Sequence, residues 1–305
     1  MPEELPWLQA AKQQFIQQRQ QGNLPHALLL PLPEADGGVL LARFMAQQLL
    51  CAHPTASGAC GHCKSCQLFA AATHPDFYQL QADGSQIKVE QVRHLCEALS
   101  TTPQQGGYRI ALVLQCERMN TAAANALLKT LEEPGAATLL LLQSDHPGGL
   151  LATIVSRCQQ IKVRRPSPEQ LHLWLRQRHP QLNEPVAWCL PVAGGALKLA
   201  QYIEDGYFEE LKKLKAAWQD SLTKGHLSQK LSHPKAEQLF DLLKLLYQVL
   251  MEQLQSASLD PLQQLRLTEL ATSVMRDNRQ LMLMANVNYL ALFQRYVLEY
   301  KRITR

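Results

Sequence analysis

The 305 residues are 46% hydrophobic and 18% charged, a globular balance that excludes an intrinsically disordered chain and is long enough for two or three domains. A net charge of +4 permits contact with nucleic acid without demanding it. No apolar run approaches membrane-spanning length, and Met1-Pro2-Glu3-Glu4-Leu5-Pro6-Trp7 lacks the basic end and apolar stretch of a signal peptide, so a cytoplasmic protein is expected.

A Gln-rich amphipathic helix is predicted from Pro6 to Gly22, with Leu8, Ala11, Phe15 and Ile16 inward. Ala27 to Leu30 reads as a first buried strand and Val39 to Leu50 as the helix after it. Between them, Gly37-Gly38 is either a phosphate-binding turn or a plain turn before a helix, and Glu34 and Asp36 put two carboxylates where an anion would have to sit.

Four of the eight cysteines, Cys51, Cys60, Cys63 and Cys66, form C-x8-C-x2-C-x2-C, which suggests a metal site in a reducing compartment rather than a disulfide framework. Thiolates two residues apart can reach one ion. Four of them close a tetrahedral zinc shell with no open position, so structural zinc is expected, with Gly58 and Gly61 loosening the backbone where it wraps. An iron–sulfur cluster, replacement of one cysteine by His53, His62 or His74, and four unliganded thiols are the competing readings.

His74-Pro75-Asp76 reads as a turn feeding a strand at 77–80, and Ile87-Lys88-Val89 as a short strand-like entry. Val92, Leu95, Cys96 and Leu99 mark a helix face, Gly106-Gly107 a turn, and Arg109 to Leu114 a buried strand. Glu117, just beyond, reads as a solvated surface carboxylate. From Thr121 a helix carries Ala124, Leu127, Leu128 and Leu131 on one side and Asn125, Lys129, Glu132 and Glu133 on the other, until Pro134 stops it. Thr138 to Leu142 is apolar on both faces, as in the middle of a parallel sheet. A second helix is predicted from about Pro147 to Arg157, before a strand at Ile161 to Val163.

After Arg164-Arg165-Pro166, Ser167 with Pro168 and Gln170 forms a capping-box pattern that opens a helix carrying Leu171, Trp174 and Leu175. Helices are predicted near Glu184 to Val192 and over Gly195 to Ile203. Phe208 to Arg305 reads as helical, with breaks at 224–226, 232–234 and 259–261, a leucine-rich face over 239–246 and a basic tail of Lys301, Arg302 and Arg305.

Ala-Asn-Ala-Leu-Leu-Lys-Thr-Leu-Glu-Glu-Pro at 124–134, followed by Ser156-Arg157-Cys158, resembles the clamp-loader branch of the AAA+ ATPases. The resemblance implies an α/β fold: a P-loop-type parallel-sheet domain over 1–165 with a zinc-binding insertion at about 51–66, a helical lid over 166–206, and an all-α collar over 207–305 that joins the subunits of a ring. A nucleotide-binding member carries G-x-x-x-x-G-K-[ST], and those places here hold Leu32, Gly37, Gly38 and Val39, without lysine or hydroxyl. The acidic pair for magnesium and water corresponds to Leu114 and Gln115, and the lid arginine to Leu197 beside Lys198. The chain is therefore expected to bind no nucleotide and to hold no catalytic site of its own. In this family the arginine of the Ser-Arg-Cys motif reaches across a subunit boundary, so Arg157 is expected to act in trans on a neighbour's γ-phosphate, with Ser156 and Cys158 packing around it. The implied partners are the gamma or tau and delta subunits, the sliding clamp as a transient partner, and primer–template DNA through the assembly. An active ATPase subunit and a zinc-dependent nucleic-acid binder are the alternatives, the latter poorly supplied by Phe69 and Lys64 alone.

Overall fold

Ala27 to Leu30 and Thr138 to Gln143 are buried at every position, so these strands offer no face to water and must lie inside a sheet covered on both sides. The computed structural model describes residues 4–105, 107–182, 184–235, 238–256, 259–281 and 288–304. Gly106 of the predicted turn and Arg305 of the basic tail lie outside them. The chain divides after Leu182 into two compact units.

The first unit runs α1 (Gln9–Gln20), β1 (Ala27–Leu30), α2 (Gly38–Leu50), α3 (Lys64–Ala70), β2 (Phe77–Leu80), α4 (Val89–Leu99), β3 (Arg109–Val113), α5 (Thr121–Glu132), β4 (Thr138–Gln143), α6 (Ala152–Val155), β5 (Gln159–Gln160) and α7 (Pro168–Arg178). The strands form one five-stranded sheet in the order β2-β3-β4-β1-β5, and every pairing is parallel. Ala27, Leu29, Ala111, Val113, Leu140 and Leu142 point to one face, where Leu95 and Leu99 of α4, Leu127 and Leu131 of α5 and Ile154 of α6 cover them. On the other face α2 packs against β3 and β4, with Leu41, Ala42, Met45 and Leu49 inward. This is the parallel sheet with helices on both sides that the resemblance implies.

Three local expectations change in this unit. The helix predicted from Pro147 to Arg157 is a 3-10 turn (Pro147–Gly149) and the single-turn α6, separated by extended Leu150 and Leu151. Gly148 and Gly149 explain the break, since each glycine costs a helix about 1 kcal/mol relative to alanine. The strand expected at Ile161 to Val163 lies two residues earlier at Gln159–Gln160, and Ile161 contributes only its amide, to the Leu29 carbonyl at 3.0 Å. Ile87 alone bridges to Met119, and Val89 already begins α4. Trp174 of α7 meets Trp7 edge to face at 5.2 Å within the first unit.

Between β1 and α2 the backbone is too crowded for a side chain. A Cβ on Gly38 would sit 2.0 Å from the Leu32 carbonyl oxygen, and Gly37 holds φ +95 with Leu5 and Leu8 pressed against it. Farther along, Ser65 anchors α3 by donating to the Leu50 carbonyl (2.5 Å), and His74 Nε2 meets the Ser65 hydroxyl at 2.7 Å. His74 Nδ1 accepts the Asp76 amide at 3.1 Å, which leaves the proton on Nε2. The Asp76 carboxylate accepts the amides of Gln104 and Gln105 at 2.7 and 2.9 Å. The His-Pro-Asp turn thus ties α3, β2 and the loop before β3 together.

The second unit contains α8 (Leu190–Ala193), α9 (Ala196–Glu204), α10 (Tyr207–Lys224), α11 (Leu239–Ser256), α12 (Pro261–Leu281) and α13 (Tyr289–Ile303). The helix expected over 184–192 is reduced to a 3-10 turn at Ala187–Cys189 and the one-turn α8, because Pro185 and Pro191 lack amide donors. The predicted breaks are present. Gly225 ends α10 at φ +81, and Asp260 caps α12 by accepting the Gln263 amide at 2.8 Å. Leu242, Leu243, Leu245 and Leu246 are fully buried, and Trp218 donates to the Leu242 carbonyl at 3.0 Å while packing on Phe293.

Gly38→Ala should destabilise the chain by about 1–3 kcal/mol, read as a lower urea midpoint, because backbone must move to admit the methyl. Burial lowers the His74 pKa against the opposing pull of Asp76, so the folded chain binds fewer protons at this site than the unfolded one. The stability it supplies is complete above the unfolded histidine value and is lost as pH falls from that value through the lower folded one. Urea midpoints should therefore drop between pH 7.5 and 5.5, with a shallower drop in His74→Gln.

Candidate functional site

Leu32, Gly37, Gly38 and Gln115 come together at the carboxyl edge of the sheet, where the β1–α2 loop faces the ends of β3 and β4. Gln143, fully buried as the last residue of β4, donates through Nε2 to the Leu32 carbonyl (2.9 Å) and to Asp145 (2.7 Å), and accepts the Gln115 amide at 2.9 Å. Asp145 also accepts the Glu34 amide at 2.8 Å and the Gln115 side chain at 3.0 Å. The loop that would cradle phosphate is thus stitched to the chain's own side chains. Gln115 sits at φ +46, uncommon for a residue with a side chain, and its Oε1 accepts from Arg118 at 2.9 Å.

Two acidic residues depart from the sequence expectation. Glu117 is no solvated carboxylate: its side chain is 11% exposed and accepts the amides of Asp145 and His146 at 3.1 and 3.2 Å. Two backbone donors left over at the end of β4 draw it inward. Asp36 is 2% exposed and faces Arg165 at 3.3 Å, while its carbonyl accepts from the Trp7 indole at 2.8 Å. Its charge is therefore neutralised beneath the loop. Gln143, Asp145 and Arg165 had no signal in the sequence, since each acts on residues far away in the chain.

The cysteine cluster spans the junction of two helices. Cys51 follows α2 as its C-cap, Cys63 caps the start of α3, and Cys66 lies one turn into it. The four sulfurs all lie within 4.8 Å of one another, with Cys51–Cys63 and Cys60–Cys66 each at 4.0 Å. Tetrahedral thiolates about 2.3 Å from one ion stand about 3.8 Å apart, so this set can close around a metal ion with little adjustment. Amides point at the sulfurs: Cys60 N–H at Cys51 (3.2 Å), Cys63 N–H at Cys60 (3.4 Å) and Cys66 N–H at Cys63 (3.4 Å). Burial opposes the Cys63 thiolate, yet amides including those of Cys66 and Ala52 bring its pKa down to about 6, whereas burial pushes Cys66 up to about 12. A cation is what would hold all four as thiolates together. His74 is committed to Ser65 and Asp76, and His62 Nδ1 lies 2.8 Å from the Cys60 carbonyl, so neither joins the sulfurs.

Arg157 lies two residues beyond α6. Its Nε donates to Glu132 at 2.7 Å, its Nη2 pairs with the same carboxylate oxygen, and its Nη1 donates to the Thr153 carbonyl at 3.0 Å. The side chain keeps 35% of its surface exposed. Cys158 packs on the sheet core and burial raises its pKa to about 11, so it stays a neutral packing group, while Ser156 donates to the Thr153 carbonyl at 3.2 Å. In the second unit, Lys198 reaches Gln201 at 3.3 Å and lies over the Tyr202 ring, beside Leu197.

A family profile described as DNA polymerase III, delta subunit, matches residues 7–167. The chain is 43% identical over 199 residues to DNA polymerase III subunit delta' of Pseudomonas aeruginosa, covering 64% of this chain and 60% of that protein. The subunit delta' of Haemophilus influenzae is 37% identical over 218 residues (70% and 66%), and that of Escherichia coli 36% over 194 (63% and 58%). The matched stretch thus spans about three-fifths of the length of these relatives. With a profile match over more than half of its residues, the chain belongs to the DNA polymerase III delta-subunit family.

Proposed function

We propose that the chain is a clamp-loader subunit of the delta' kind, which binds no nucleotide itself and lends Arg157 to the ATP site of a neighbouring gamma or tau subunit. In that assembly, with delta, it helps load the sliding clamp onto primer–template DNA in the cytoplasm. Three curated relatives carrying the delta' name support this reading, as does a 32% identical stretch of 162 residues in a tau/gamma subunit of Haemophilus influenzae. The observation that carries it is a contrast within the first unit. The chain's own phosphate loop is packed against Leu5 and Leu8 and hydrogen-bonded by Gln143 and Asp145, whereas the Arg157 side chain is 35% exposed.

The chemistry is electrostatic. A phosphoryl group in transfer spreads negative charge over its oxygens, and a guanidinium placed against it offsets that charge in the transition state more than in the ground state. The chain supplies the cation and the neighbour supplies nucleotide, magnesium and water. Lacking lysine, hydroxyl and the acidic pair at Leu32, Gly38, Val39, Leu114 and Gln115, the chain contributes no turnover of its own. Residues 166–206 and 207–305 act as lid and ring collar in this reading.

Cys51, Cys60, Cys63 and Cys66 hold one zinc, whose role is structural because four thiolates leave no position for substrate. It joins the end of α2 to the start of α3 and so fixes the module at one edge of the sheet.

Arg157→Ala in the reconstituted ring should leave assembly intact and lower clamp- and DNA-stimulated ATP turnover at the neighbouring site by about 10³-fold or more. An unchanged rate would leave a scaffold subunit. The isolated wild-type chain should show no saturable ATP binding by calorimetry. Metal analysis should find about one zinc per chain, lost in Cys66→Ser, and a strong chelator should lower the wild-type melting temperature while leaving that of Cys66→Ser unmoved.

A further inference from the structure

Resting on the reading of Arg157 as a group that works in trans, we infer that Glu132 is its positioning residue: the carboxylate at the end of α5 sets the plane of the guanidinium and leaves its outer edge for a neighbour's phosphate.

Arg157 stands on weak local support. The helix before it, Ala152–Val155, has one turn, and the residues between that turn and β5 make no regular structure. A long side chain on such a segment would sample many rotamers, and a group that must meet a phosphate in one geometry needs a brace. Glu132 supplies it from outside. Its Oε1 accepts from Nε at 2.7 Å and also pairs with Nη2, while the Thr153 carbonyl takes Nη1 at 3.0 Å. The side edge of the guanidinium is thereby held from α5 and one terminal nitrogen from α6.

Of the five N–H groups of an arginine, these contacts use one on each nitrogen. Each terminal nitrogen retains a second, which is the pair that grips a phosphate bidentately. The Ser156 hydroxyl, 3.4 Å from Nη1, is a long contact that an anion can displace.

Glu132 has little other reason to be acidic. It is the last residue of α5, where the helix dipole disfavours a carboxylate, and its side chain is 51% exposed. The helix beneath it is firmly seated, with Leu127 and Leu131 almost fully buried in the sheet core. A rigid helix carrying an acid at its unfavourable end, paired with the arginine 25 residues on, is what positioning requires.

The test measures stimulated ATP turnover of the full ring carrying this chain as wild type, Glu132→Ala, Glu132→Gln, Arg157→Ala or the double variant, with assembly checked for each. Glu132→Ala should lower kcat about tenfold with KM for ATP and the melting temperature of the chain nearly unchanged. Glu132→Gln, which keeps the acceptor oxygen and its reach, should recover part of the loss. Adding Glu132→Ala to Arg157→Ala should cost nothing more, since both act through one group. If Arg157→Ala collapses turnover while Glu132→Ala matches or exceeds wild type, positioning by Glu132 is overturned and the role of Arg157 stands. A further loss in the double variant would overturn it as well, by giving Glu132 a separate role. If Arg157→Ala itself has no effect, the trans reading falls and takes this inference with it. Should the alanine variant fail to assemble, the glutamine variant decides: an unchanged kcat together with an unchanged response to Arg157→Ala overturns the proposal.

Discussion

Strands that are apolar on both faces constrain everything else in the first unit. β1 and β4 pair in register from Ala27 with Leu140 to Leu30 with Gln143, and neither can be exposed without leaving leucines in water. Parallel pairing then requires every connection to cross over a face of the sheet, which is why helices α2, α4 and α5 exist and why all five strands point their carboxyl ends the same way. The loops after β1, β3 and β4 are gathered at one edge as a consequence.

At that edge the buried side chain of Gln143 ties the β1–α2 loop to the end of β3. Its amide satisfies the Leu32 carbonyl and the Gln115 amide, and Asp145 completes the set with the Glu34 amide. The Leu32 carbonyl and the Glu34 and Gln115 amides are thus paired by side chains from β4 and the loop after it, and displacing these partners would leave polar groups unsatisfied. Glu117 does the same for the amides of Asp145 and His146. Internal hydrogen bonds thus hold the β1–α2 loop against the ends of β3 and β4.

The cysteine cluster and the arginine are each braced by groups outside their own motifs. Ser65, beside Cys66, reaches the carbonyl beside Cys51 and is held by His74, so the segment ends that carry two of the sulfurs are fixed to the sheet. Arg157 is held by Glu132 in the same manner. In both cases the bracing group lies outside the motif it holds.

Local patterns determined a good deal. The four cysteines, the buried runs at 27–30, 109–113 and 138–142, the Ser167 capping box and the helix stop at Pro134 all rest on interactions within a few residues, where spacing and residue type decide the outcome. The eleven residues at 124–134 with Ser156-Arg157-Cys158 carried the family. Periodicity overreached where glycines and prolines interrupted it, at 147–157 and 184–192. What the tertiary structure alone decided are the long-range polar partnerships: Asp36 with Arg165, Glu117 with the amides after β4, Gln143 with Leu32 and Glu132 with Arg157. A charged residue carries no mark in sequence of whether it will meet water or a buried donor, because that depends on which chain segments the packing of the apolar strands brings within 3 Å or so of it.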